Sequence, residues 1–200
     1  DTFSSSIPNP DPNHIEHHYD GRLARTNHYG FDLNRQWLSA TQPEARAWMK
    51  KWHEWRPNVS VDYHEMGSEA TYYFAPGIAT RTHPLIPNEG MQLVSKVVKP
   101  AEEFMDAQKR LYFHGDRYDH FFLGKGAGFP LVNGGIGILH EASSARGVQI
   151  NTSNGLRTYR ENILKHFRTS IANAKGAMNH RTELLEYQKN FYKNASNRAK

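Results

Sequence analysis

Two stretches of this sequence close an apolar run with a histidine and an acid. The first is Val59-Ser60-Val61-Asp62-Tyr63-His64-Glu65, punctuated by Gly67. The second is Gly135-Ile136-Gly137-Ile138-Leu139-His140-Glu141, followed by the small polar turn Ala142-Ser143-Ser144. Imidazoles and carboxylates ligate metals and move protons near neutral pH. A histidine at a strand end binds a metal, acts as a base, or sits hydrogen-bonded in a core. Two strands of one sheet that each deliver ionisable groups at their carboxyl ends would aim them into one crevice, where open α/β sheets bind ligands.

The elements around these stretches follow from spacing. Val59, Val61 and Tyr63 alternate with Ser60, Asp62 and His64, so Asp62 and His64 share one face of a strand and the valines the other. Upstream, Thr41-Gln42-Pro43-Glu44 reads as a capping box with proline in the first turn. Ala45, Trp48, Met49 and Trp52 then make a helical apolar face. Helix followed by strand is an αβ unit. Thr71-Tyr72-Tyr73-Phe74 is a short strand closed by Pro76-Gly77, and residues 78–87 are loop. A helix is expected from about Glu89 to Tyr112, bent near Pro100. The aromatic run from Tyr118 to Phe122 leads into Gly124-Lys125-Gly126-Ala127-Gly128. This glycine run lacks the Gly-Lys-Ser/Thr ending of a phosphate loop and does not open a helix. The fold class is therefore α/β, a mixed sheet flanked by helices. One domain spans 1–200, with a loop-rich start over 1–30 and a C-terminal helical region over 156–195, broken near Gly176.

Composition narrows the chemistry. The chain has 200 residues and no cysteine, so disulfides, thiolate ligands and cysteine nucleophiles are excluded. A metal would need His, Asp or Glu, and there are 12 histidines. The net charge is +5, but the basic residues are dispersed and no nucleic-acid module is present, so nucleic acid is not an expected partner. No apolar run approaches the roughly 20 residues of a membrane span. The chain starts at Asp1 and shows no signal-like segment, as an excised or processed piece would.

Three further clusters carry weaker signals. His14, His17 and His18 surround Glu16 in the loop-rich start and read as a solvated cluster or a metal site. Arg25, Asn27, Asp32, Asn34 and Arg35 crowd around Gly30, and arginine's planar fork suits carboxylates. His180-Arg181-Thr182-Glu183 has the spacing of a one-face metal pair, which also arises by chance on charged helices.

Taken in order, Asn9-Pro10-Asp11, Arg25-Thr26-Asn27, Gly30-Phe31-Asp32-Leu33-Asn34-Arg35, Asp62-Tyr63-His64-Glu65-Met66-Gly67 and Gly137-Ile138-Leu139-His140-Glu141 resemble the zinc metallocarboxypeptidases, the carboxypeptidase A-like family. Thr71–Gly77 and Glu141–Gly147 look like a bacterial branch of it. The resemblance covers roughly residues 8–190. It implies a hydrolase that cuts the C-terminal amide bond of peptides, with one zinc ion. It implies that His64 is a zinc ligand, Glu141 the general base and Arg25 the oxyanion stabiliser. Asn34 and Arg35 would hold the substrate's terminal carboxylate, and Asp32 would orient a zinc-ligating histidine. The family's other two ligands lie in a His-x-x-Glu pair that would precede residue 1, so the chain would be the larger, C-terminal part of a catalytic domain. Phe129 stands where this branch carries the tyrosine that closes over substrate, and Tyr118 is a substitute. The resemblance favours a periplasmic or extracellular setting. A metal-free carboxylate-binding relic and a zinc hydrolase of non-peptide amides or esters remain alternatives.

Overall fold

The computed structural model describes Asp11 and residues 25–199. Strand β1 (Val59–Met66) runs parallel to β3 (Ile136–Ser143), and β2 (Tyr72–Phe74) lies antiparallel on the other side of β3, giving the order β1-β3-β2. Helices flank this small mixed sheet, so the protein is mixed α/β. The parallel pairing aligns Tyr63 with His140 and His64 with Glu141.

Helix α1 (Pro43–Trp55) begins where proline's fixed φ suits a first turn, and it buries Ala45 and Trp52. The expected capping box does not form. Gln42 is the cap residue and makes no side-chain cap bond, because the Thr41 hydroxyl donates instead to Gln36 Oε1 at 2.6 Å.

Helix α2 (Asn88–Ala107) carries Pro100 inside it and stops short of Tyr112. Lys109 turns left-handed at φ 51°, and Phe113 then donates its N–H to Tyr72 O at 2.9 Å. The segment leaves the helix to flank β2.

Residues 156–158 are not helical. A hairpin, β4 (Gln149–Thr152) and β5 (Gly155–Thr158), precedes helix α3 (Tyr159–Asn179), whose cap Thr158 accepts from Glu161 N. Helix α4 (Arg181–Arg198) follows after a break at His180. Gly176 does not break α3. A Cβ there would lie 2.0 Å from Val97 O, so this glycine lets α3 press against α2.

Helices α2 and α3 pack on each other and on β3. Between them and the sheet sit Val94, Val97, Met105, Ile136 and Ile138, all fully buried. Each such side chain contributes about 1.5–3 kcal/mol relative to exposure. Val59 and Val61 pack against the same cluster.

Candidate functional site

Neighbouring residues of a strand face opposite ways, so β3 sends His140 to one side and Glu141 to the other. On the helix side, His140 is fully buried. Its Nδ1 lies 3.1 Å from the Tyr72 hydroxyl and its Nε2 2.7 Å from Asn173 Nδ2. Tyr63 stacks on its ring, and the Tyr72 hydroxyl also meets His166 Nδ1 at 3.0 Å and Thr169 Oγ1 at 2.8 Å. Burial pushes the imidazole down to about 3. His140 is thus a neutral core histidine.

The opposite side gathers the chemistry. His64 Nε2 lies 2.7 Å from Asp62 Oδ1 and 2.8 Å from Asn34 Nδ2. The same Asn34 amide donates to Asp62 Oδ2 at 2.9 Å, and its Oδ1 accepts from Gly126 N at 2.8 Å. Asn34 therefore ties the chain's early turn, β1 and the glycine run into one knot. A Cβ on Gly126 would sit 2.8 Å from Asp62 Oδ2, which explains the glycine.

Asp32 caps the short turn Leu33–Arg35 by accepting from Asn34 N at 2.9 Å. Its other oxygen takes Arg25 Nε at 2.7 Å. Asp32 thus orients Arg25 and Asn34, and within the described residues it bonds no histidine. Arg35 is exposed, with Nη1 donating to Asn34 O at 2.9 Å. Phe129 is buried against Trp37 and Trp52, which keeps it out of the site. Tyr118 instead lies close enough to Glu141 to feel its charge, and its hydroxyl donates to Met66 Sδ at 3.6 Å. Burial and the Glu141 charge push its phenol up to about 12.

The charges are coupled. Burial pushes Glu141 up to about 7, with Asp62 adding to the rise, against the pull of His64, Arg25 and the nearby Tyr118 hydroxyl. The Asp62 hydrogen bond raises the His64 imidazole above its ordinary value, against the cost of burial. Burial opposes ionisation of Asp62, but His64, Asn34 and Arg25 outweigh it and hold its carboxyl below the usual range. A carboxyl that titrates near neutrality is suited to take up and return a proton.

Sequence reasoning placed Asp62 on the His64 face without giving it a role; its i−2 spacing was the available signal. Tyr73 went unnoticed. It is fully buried on the Glu141 side, its ring centroid 4.3 Å from that of Tyr118, and its hydroxyl has no partner among the described residues. An open cleft of about 420 Å³ is lined by Thr80, Arg81, Asp119, Phe121, Phe122 and Lys125 and includes neither His64 nor Glu141.

Among the described residues no three His, Asp or Glu side chains gather as a metal-ligating group. His64 is the one imidazole in the site, and its Nε2 already meets Asp62 and Asn34. These residues fit a single ligand and do not by themselves hold zinc. The cluster of His14, Glu16, His17 and His18 lies outside the described residues. His180 and Glu183 pair at 2.7 Å, and Glu183 also pairs with Lys96, so this motif is a surface ion network. No helix of the described chain is long and apolar enough to cross a membrane. No known family model, no curated protein and no solved structure matches the chain.

Proposed function

We propose that the chain carries the proton-transfer and substrate-binding side of a zinc-dependent carboxypeptidase site on a carboxypeptidase-like fold. The observation that supports it is the alignment of His64 with Glu141 on adjacent strands, with Arg25 close enough to act on the charge of both. In this reading His64, together with ligands outside the described residues, would hold zinc, which when bound would supply an activated water. Glu141, with its raised pKa, takes the proton and returns it to the leaving amine. Arg25, steadied by Asp32, faces the developing oxyanion, where a fixed donor favours the transition state over the ground state. Asn34, Arg35 and Tyr118 receive the substrate's terminal carboxylate and restrict cleavage to chain ends. That role requires the Asn34 amide to exchange Asp62 or His64 for the carboxylate.

The test combines zinc content with hydrolysis of a peptide bearing a free C-terminal carboxylate and of its C-terminal amide. The reading expects one zinc lost in His64→Ala, cleavage of the free acid only, and a fall of about 10²–10⁴ in turnover with zinc retained in Glu141→Gln. Near-normal turnover in Glu141→Gln would overturn the assignment.

A second reading is a metal-free module that binds carboxylates through Asn34 and Arg35. The closed contacts of His64 Nε2 favour it. Carboxylate binding that neither adds zinc nor loses affinity in His64→Ala would select it.

A further inference from the structure

Helix α3 turns a polar face to the sheet, burying Asn162, Thr169 and Asn173. Asn162 and His166, one helical turn apart, each reach a backbone carbonyl near the carboxyl end of a strand. Asn162 Nδ2 donates to Ser143 O of β3 at 2.5 Å, and His166 Nε2 lies 3.2 Å from His64 O of β1. Ser143 closes β3 just beyond Glu141. Two neighbouring side chains of one helix thus hold the strand ends that present His64 and Glu141.

A carbonyl only accepts, so His166 Nε2 carries the proton in its bond. Burial lowers the His166 pKa, against the effect of the His64 carbonyl, so the ring is neutral and its Nδ1 offers only a lone pair. The Tyr72 hydroxyl, 3.0 Å away, therefore donates to it. With its one hydrogen so used, Tyr72 accepts from His140 Nδ1 at 3.1 Å and Thr169 Oγ1 at 2.8 Å. His140, kept neutral by burial, is then protonated at Nδ1 and accepts at Nε2 from Asn173 Nδ2, 2.7 Å away. Every bond points one way, from Asn173 through His140, Tyr72 and His166 to His64 O. This direction leaves Asn173 Oδ1 without a partner among the described residues, at a cost of about 1–3 kcal/mol. The reverse direction turns the Asn173 amide over and makes Tyr72 donate to His140. Tyr72 and His166 Nδ1 would then meet lone pair to lone pair at 3.0 Å, or His166 would carry a desolvated charge, which costs more.

We propose that His166 is a positioning residue of the candidate site: a one-way chain of hydrogen bonds from Asn173 through His140 and Tyr72 fixes its tautomer, and its Nε2–H, beside the Asn162 amide, sets where β1 carries His64 relative to Glu141. In a low-dielectric interior such bonds reinforce one another. What the two positioned groups do rests on the carboxypeptidase reading; the chain of bonds joins β1, β2 and β3 without it.

Long-range ¹⁵N–¹H spectra of the histidine rings give the tautomers, and the ¹³C resonance of the His64 carbonyl reports the bond it accepts. The parent should show Nε2–H at His166 and Nδ1–H at His140. His166→Gln keeps a donor at the place of Nε2 and His166→Phe removes it. The His64 carbonyl should therefore move upfield in His166→Phe and hold its place in His166→Gln. Tyr72→Phe keeps the packing and should leave His166 as a mixture of tautomers. Turnover of a peptide with a free C-terminal carboxylate by the zinc-loaded chain should fall by up to about 10²-fold in His166→Phe, in kcat rather than KM, and recover in His166→Gln. The opposite tautomer at either ring, a fixed tautomer in Tyr72→Phe, or a His64 carbonyl unmoved in His166→Phe would overturn the proposal. Hydrolysis without the spectral pattern would overturn the positioning role alone. The spectral pattern without hydrolysis would sustain that role and overturn the carboxypeptidase reading alone.

Discussion

Replacing Glu141 by glutamine should stabilise the metal-free protein at neutral pH, and the gain should depend on pH in a defined way. Glu141 is only 8% exposed, and burial moves its pKa from an ordinary 4.5 to about 7. In the unfolded chain the carboxyl releases its proton near the ordinary value. Between these two values the folded state binds more protons than the unfolded state, so stability falls as pH rises. At about 1.4 kcal/mol per pH unit, the ceiling on the loss is about 3 kcal/mol. Glutamine keeps the shape and carries no charge. The difference in unfolding free energy between Glu141→Gln and the parent should therefore be near zero at pH 4, grow from pH 5, and level off above pH 8. Urea unfolding across this range measures it, and a carboxyl titration by NMR locates the midpoint directly. A difference that stays flat from pH 4 to pH 8 would refute the claim that Glu141 ionises against the cost of burial.

Other outcomes follow from the same contacts. His140, held neutral with its pKa near 3, should destabilise the fold as pH drops below about 6.5, because the unfolded imidazole takes up the proton first; His140→Gln should flatten that acid limb in urea unfolding. Gly176→Ala would drive a Cβ to 2.0 Å from Val97 O and should cost about 3 kcal/mol, the upper end for overpacking, read as a fall in Tm of about 6–12 °C. Gly126→Ala would displace Asp62 and Asn34; the His64 pKa should then move down toward its ordinary value in an imidazole NMR titration, and an unmoved value would show that the knot is not what raises it.

What the sequence made legible was local. The alternation through Tyr63, the apolar run before His140 and the proline opening α1 each mark an element by its own residues, and β1, β3 and α1 lie where those marks place them. What it hid was non-local or weakly marked. The capping box failed because Gln36, not the helix's own first turn, recruits Thr41. The hairpin from Gln149 to Thr158 has largely polar strands that are half-buried to exposed except at Arg157, so no apolar period announces it. Gly176 looks like a helix breaker in one dimension and is a packing glycine in three. The bonds from Asn34 to Asp62, His64 and Gly126 span 28, 30 and 92 residues, and no local pattern encodes them.

The buried polar cage on the helix side of the sheet takes part in no proposed chemistry, yet it governs where the chemistry points. Moving β3 by one residue against its neighbours would exchange the faces of His140 and Glu141. The cage of Tyr72, Asn173 and Tyr63 accepts an imidazole, with a partner for each ring nitrogen. A carboxylate forced into that space would be desolvated beside a phenol ring and an amide, with no cation to meet it. The misaligned sheet would thus carry a buried charge on one side and a stray histidine on the other. His140 acts as a key that admits one alignment of β3, and that alignment is the one that presents Glu141 to His64.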